Sequence, residues 1–238
     1  MNLLTQYPIP TWISILFLIA IPLPFVLITL FTHNAAKKIN QHVISKIVIL
    51  FFTLYLSYIS IASFYGLFNQ VSFPPKVLLY STFPYGFLLF AVVVNTKSYK
   101  SIIHLSAIED LVKLHIFRVI GIFFVLLALW DALPKPFAFI AGFGDIITAV
   151  SSIFVAKAIQ NKKSYAKTLT LCWNIFGTID ILFTAVAANV LTKVSIETGS
   201  MGVDSFAMFP FCIIPAFAPP TILLLHWAIF QKMKQKMP

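Results

Sequence analysis

Seven apolar stretches, each long enough to cross a bilayer and set apart by short polar segments, leave this chain little choice of fold. They lie at about 12–32, 47–68, 77–94, 115–133, 137–158, 168–191 and 209–230. A helix needs roughly 20 mostly apolar residues to cross the hydrocarbon core. Backbone groups in lipid must find partners within their own segment, which excludes open sheets. The chain is 60% hydrophobic and 10% charged, whereas a soluble domain carries roughly 25% charged residues. Lipid must therefore solvate most of its surface. The expected fold class is all-α, with residues 1–238 forming one transmembrane domain, a bundle of seven helices.

The lysines test that count. Seven spans alternate sides, so thirteen lysines, among them Lys37, Lys38, Lys46, Lys97, Lys100, Lys113, Lys157 and Lys162, fall on one side. Only Lys76, Lys135 and Lys193 fall on the other. A wrong number of spans would scramble this asymmetry, and the positive-inside rule then predicts an external N-terminus and a cytoplasmic C-terminus. The segment before the first span carries no lysine or arginine, and no small-residue cleavage site follows its apolar run. A retained helix is expected rather than a signal peptide. The formal charge of +10 could suggest nucleic acid, but the lysines are strung between apolar segments instead of gathered on one face. The expected partners are the lipid bilayer and a membrane protein or second copy of the chain, with no nucleic acid.

Between the third and fourth spans, residues 97–114 place Ile103, Leu105, Ile108, Leu111, Val112 and Leu114 at roughly helical spacing. This predicts an amphipathic helix lying on the membrane surface or leading into the fourth span, with His104 interfacial. Prolines should bend several spans: Pro22 and Pro24 in the first, Pro84 in the third, Pro219 and Pro220 in the seventh. The last pair should break its helix near mid-membrane and free backbone carbonyls, a device found at transporter ion sites, and is equally compatible with a plain kink. Tyr55, Tyr58 and Tyr65 are expected to pack with their hydroxyls bonded. Cys172 and Cys212 both lie inside apolar segments and read as small core residues rather than a disulfide or metal site.

The polar residues inside the spans carry the functional argument, because a charge near the bilayer centre costs at least ~2.5 kcal/mol on insertion scales. Asp145 lies about 10 residues beyond the turn at Leu133, Pro134, Lys135 and Pro136, ~15 Å deep at 1.5 Å per residue. Asp180 reaches a similar depth of ~16 Å. Arg118, the only arginine, counts to ~24 Å from the same side, leaving an axial offset of ~9 Å from Asp145. Three readings stay open for it: snorkelling to the cytoplasmic interface, a structural ion pair, and a place in a proton or solute path. Ala138, Ala141, Asp145, Thr148 and Ser152 share one face of the fifth span, while Trp173, Gly177, Asp180, Thr184 and Ala187 share one of the sixth. Small residues at this spacing permit close helix packing, yet packing alone needs no carboxylate. Asn174 and His226 join Arg118 in an expected cytoplasmic-half group below the two aspartates.

No lysine in the middle of the seventh span could anchor a retinal, and no H-E-x-x-H, phosphate loop or G-x-S-x-G is present. An enzyme is the less favoured reading; no catalytic residue, metal or cofactor is predicted. A haem held by His115 and His226 is the one cofactor the histidines leave open.

R-V-I-G at 118–121, L-P-K-P-F-A at 133–138, A-G-F-G-D at 141–145, W-N-I-F-G at 173–177 and P-x-F-x-x-P…H at 215–226 resemble small bacterial seven-helix integral membrane proteins. The resemblance covers about the second half of the chain. It implies a multi-pass protein of the bacterial plasma membrane and no particular activity. The reading carried forward is passage or coupling of a small solute or proton through a polar core of Asp145, Asp180, Arg118, Asn174 and His226. The alternative is a non-transporting scaffold or sensor subunit that binds a membrane partner, with a dry interior and Arg118 paired to Asp145.

Overall fold

Proline positions decide where these helices bend, and neighbouring hydroxyls repair the bends. The computed structural model describes residues 9–69 and 72–235. Met1–Pro8 of the leading segment, Gln70 and Val71 of the second turn, and the tail from Lys236 lie outside the described residues. Within them, seven helices are long and apolar enough to cross a membrane: Thr11–Lys38, Val43–Phe64, Leu78–Asn95, Ile108–Leu129, Lys135–Gln160, Ala166–Thr198 and Ile213–Lys234. They are called spans 1 to 7 below. The turns at 131–134 and 199–212 lie at the lysine-poor end, and Lys37, Lys38, Lys162 and Lys163 lie at the lysine-rich end.

Several helices outrun their apolar cores. Span 1 breaks briefly at Ile21, where Pro22 starts a new turn, and then continues to Lys38. His33, Asn34, Lys37 and Lys38 are therefore helical rather than a loop, and Lys46 belongs to span 2. Lysine stems can lie along apolar surface with the ammonium in water, so a helix need not stop where the charge begins. Span 6 likewise runs to Thr198, and Lys193 and Glu197, expected in a loop, face each other along it at 3.8 Å.

In span 3 the helix widens to π-turns at Leu78–Thr82 and Leu88–Val92, on either side of Phe83–Phe87. Pro84 sits just past the first widening, where the Phe83 N–H reaches back five residues to Leu78 O. A π-turn relieves the clash that a proline ring makes with the preceding turn.

Span 7 is a correction. Pro219 and Pro220 do not break it; the helix is continuous from Ile213 to Lys234. The two N–H groups they lack would have bonded the carbonyls four residues earlier, Pro215 O and Ala216 O. The Thr82 hydroxyl donates to Pro215 O at 2.7 Å and the Tyr55 hydroxyl to Ala216 O at 2.9 Å. Both freed carbonyls thus find a hydroxyl donor on spans 2 and 3.

Residues 97–114 are also not one helix. Lys97–Leu105 and Ile108–Leu114 are separated by extended backbone at Ser106 and Ala107. The first piece docks on the end of span 7, with Tyr99 Oη donating to Gln231 Oε1 at 3.0 Å and Lys232 Nζ donating to His104 O. The second piece is the start of span 4. Its Ile108, Leu111, Val112 and Leu114 are all buried, so span 4 begins seven residues earlier than its apolar run suggests.

Span 4 is the centre of the bundle. Two thirds of its apolar window (67%) is buried, against 22% in each of spans 1 to 3. It forms a hairpin with span 5; span 6 packs on spans 5 and 7, and span 7 also touches spans 2, 3 and 4. Outward faces stay apolar, as Ile140, Phe143, Ile147, Val150 and Phe154 show along span 5. Cys212 is buried as expected, but Cys172 lies on the exposed face of span 6.

Candidate functional site: a guanidinium between two carboxylates

Halfway along span 4 the helix tightens to 3₁₀ over His115–Gly121. Arg118 is in the middle of that stretch with a side chain that is 0% exposed. Its Nε donates to Asp145 Oδ1 at 2.6 Å and its Nη2 to Asp180 Oδ2 at 2.5 Å. Nη1 donates to Gly177 O at 3.2 Å and to His226 Nε2 at 3.1 Å. One planar fork thus ties spans 4, 5, 6 and 7 together, a geometry that a lysine could not supply.

The histidine's proton follows from its neighbours. Asn174 Nδ2 donates to His226 O at 3.1 Å, leaving its Oδ1 to accept from His226 Nδ1 at 2.7 Å. Nδ1 therefore carries the hydrogen, and Nε2 offers its lone pair to the guanidinium. All five residues expected in the polar core, Asp145, Asp180, Arg118, Asn174 and His226, meet in one connected network.

Two expectations about this group need correcting. Arg118 and Asp145 are not ~9 Å apart along the axis, because span 4 ends at Leu129 and the turn beyond it belongs to no helix. Counted from Leu129, Arg118 is about as deep as Asp145 counted from Lys135, and the contact is direct. Arg118 is therefore level with the aspartates, whereas Asn174, six residues before Asp180 on span 6, lies about 9 Å toward the lysine-rich end.

Glycines make the approach possible. A methyl at Gly142 would lie 2.8 Å from Gly121 O, so spans 4 and 5 cross there with backbones nearly touching. A methyl at Gly144 would occupy the place of the Asp180 carboxylate, and one at Gly177 would lie 2.6 Å from the His226 ring and 3.0 Å from Arg118 Nη1. By contrast, Thr148 and Ser152, on the same face as Asp145, bond their own helix through Gly144 O and Ala149 O. They are packing residues.

His115 is fully buried. Its ring lies tilted against His226 with centroids 4.2 Å apart and meets Trp173 edge-on at 5.1 Å. Neither ring nitrogen has a hydrogen-bond partner among the described residues. The two histidine rings are in van der Waals contact. The spacing of His115 to Arg118, three residues in a 3₁₀ turn, puts both on one line of the helix; only the tight winding reveals this.

On the other side of Asp145 the bundle opens. A cavity of about 440 Å³ lies between spans 3, 6 and 7. Lys76 and Asp204 line it toward the lysine-poor end, while Phe90, Leu223 and Asp145 line it roughly ten residues or more into their helices. Thr184, Asn189 and Thr192 of span 6 add a polar line along an otherwise aromatic and aliphatic wall. Asp204, in the loop, has its carboxyl pushed above the ordinary value by burial. Asp180 does not line the cavity; Arg118 connects it to Asp145 from behind. The sequence pointed to Asp145, Thr184, Pro219 and Pro220 among the lining residues, but not to the aromatic wall of Phe83, Phe87, Phe90, Phe124 and Phe206.

The sequence matches the family described as "Domain of unknown function (DUF8737)" over residues 75–233. That is two thirds of the chain, which therefore belongs to this family. The match begins just before span 3, so it encloses the whole ion cluster and every cavity-lining residue except Phe68 and Ser72. No curated protein and no solved structure matches the chain.

Proposed function

We propose that this member of the DUF8737 family passes or couples a small solute or a proton through the polar core of its bundle. The proposed setting is a bacterial plasma membrane, with the N-terminus external and the C-terminus cytoplasmic. One observation supports the reading above the rest. A single guanidinium faces two carboxylates, one of which lines a cavity. With both carboxylates ionised the group carries one uncompensated negative charge, which is expensive inside a bilayer. A proton or the positive charge of a solute neutralises it. Titratable and charged groups facing this pair are Arg118, His226 and His115; Lys76 and Asp204 stand at the mouth.

The packing on the far side fits a site reached from one side at a time. The His226, His115 and Trp173 rings pack together, tilted or edge-on, beside Arg118, while the cavity extends from Asp145 toward the lysine-poor end. Alternating exposure of one such group to two sides is how transporters couple ions to solutes.

The test is proton movement into dye-loaded proteoliposomes under an imposed potential. The wild-type chain should exceed protein-free vesicles, and Asp145→Asn and Asp180→Asn should each return the flux to that background. Unchanged flux in both variants removes the aspartates from the path. The scaffold or sensor reading draws support from the same ion group, since four bonds from one guanidinium are what a structural clasp would need. On that reading no variant changes flux, because there is none.

A further inference from the structure

We propose that the cavity between spans 3, 6 and 7 binds an apolar organic cation, with its positive centre against the free oxygen of Asp145. This rests on the reading of Asp145 and Asp180 as the acidic site of the polar core, and it names the class of solute.

Size comes first. The cavity holds about 440 Å³, within the roughly 300–1,000 Å³ of pockets that enclose a drug-sized molecule. Its walls select an apolar body, because Phe83, Phe87, Phe90, Phe124 and Phe206 all contribute to them. Aromatic faces also attract a cation within about 6 Å.

Charge decides the sign. Asp145 is buried to 9% exposure and is the only charged residue of the inner cavity wall. Its Oδ1 is taken by Arg118, while Oδ2 has no hydrogen-bond partner among the described residues. Without a proton the group carries one negative charge in excess, which an anion would only enlarge. A cation cancels it, and the proton that the carboxylate pair holds in the cation's absence leaves to solvent at the cavity mouth as the cation arrives, so the net charge is conserved. Lys76 and Asp204 offset each other at the mouth and leave the choice to the inner end.

The route in is lateral as well as axial. Span 3 leans on span 7, and span 6 on spans 5 and 7. The rim residues Phe83 and Phe87 are 56% and 70% exposed on the lipid-facing surface. A molecule already dissolved in the bilayer can therefore reach the cavity without crossing water.

Tetraphenylphosphonium and tetraphenylborate share shape and apolarity and differ in sign, which makes them the probes. Each is dialysed to equilibrium against the full-length chain in nanodiscs, with empty nanodiscs subtracted. The phosphonium should saturate near one per chain, and the borate should show no saturable binding. Asp145→Asn should weaken phosphonium binding by at least about tenfold. Gly86→Leu provides a second variant, since the first atom it adds meets only Pro220 at 3.8 Å and its side chain fills the cavity away from the ions; it should abolish binding even if Asp145→Asn fails to fold. Saturable binding of neither probe, equal binding of both, or wild-type binding by folded Gly86→Leu overturns the proposal. Phosphonium binding without proton flux would leave this site standing and remove the coupled function; flux without phosphonium binding would do the reverse.

Discussion

Replacing Arg118 by methionine removes the one cation of the cluster while keeping an unbranched side chain of similar length. Two carboxylates are then left facing each other among apolar helices, and four bonds from the guanidinium are gone. Breaking a buried pair by removing one partner costs roughly 3–5 kcal/mol, mostly through the charge left behind. The asymmetry is the sharper part. Asp145→Asn or Asp180→Asn leaves one cation against one anion, a balanced pair, and keeps an oxygen acceptor near the guanidinium. Each should therefore cost less, about 1–2 kcal/mol, the size of a charge-assisted bond reduced to a neutral one. Replacing all three, as Arg118→Met with Asp145→Asn and Asp180→Asn, leaves no net charge to bury and should recover most of the loss. The assay is unfolding of the purified chain by SDS titration in mixed micelles, followed by circular dichroism. An Arg118→Met loss below that of either asparagine variant, or a triple variant no more stable than Arg118→Met, would show that the charge count does not govern this core.

Thr82→Val should cost about 1 kcal/mol in the wild-type chain, because Pro215 O loses its donor. In a Pro219→Ala background the helix supplies that donor itself, so the cost should vanish in a double-mutant cycle. Gly177→Ala should destabilise by about 1–3 kcal/mol, since the new methyl overlaps the His226 ring; a thermal melt in detergent measures it. Asp204→Asn tests linkage at the cavity mouth. Burial raises the folded carboxyl above its unfolded value, so the native residue favours folding least where it must ionise, and stability falls as pH rises through the folded value. The substitution should raise the melting temperature at pH 7 and leave it nearly unchanged at pH 3; a larger gain at pH 3 would reverse the assigned direction.

The site was more legible in the sequence than the boundaries were. A charge within an apolar run betrays itself by its cost, so Arg118, Asp145 and Asp180 could be picked out from chemistry alone, and position near the expected cytoplasmic ends of their spans supplied Asn174 and His226. His115 was hidden because the start of span 4 was hidden. Glu109, Asp110 and Lys113 gave residues 108–114 an interfacial look, although the apolar face of that turn is buried against spans 5 and 7. The continuity of span 7 could not be read either. It depends on Thr82 and Tyr55 arriving in register with two particular carbonyls, and register between helices is a property of the packed bundle. The cavity was invisible for a related reason, since it is made by the spacing of spans 3 and 6 and has no residue type of its own.

The tight winding of His115–Gly121 has a mechanical side. At three residues per turn, His115, Arg118 and Gly121 stand in one column. The same seven residues wound at 3.6 per turn would shorten by about 3.5 Å and swing Arg118 about 60° away from His115. The winding of the stretch thus sets the bearing of the guanidinium. While the coil stays tight, one arginine serves both aspartates. Turned by those 60°, it would no longer bear on both at once, and the choice of which carboxylate stands alone would be made by a rotation of the backbone and not by any movement of the aspartates themselves.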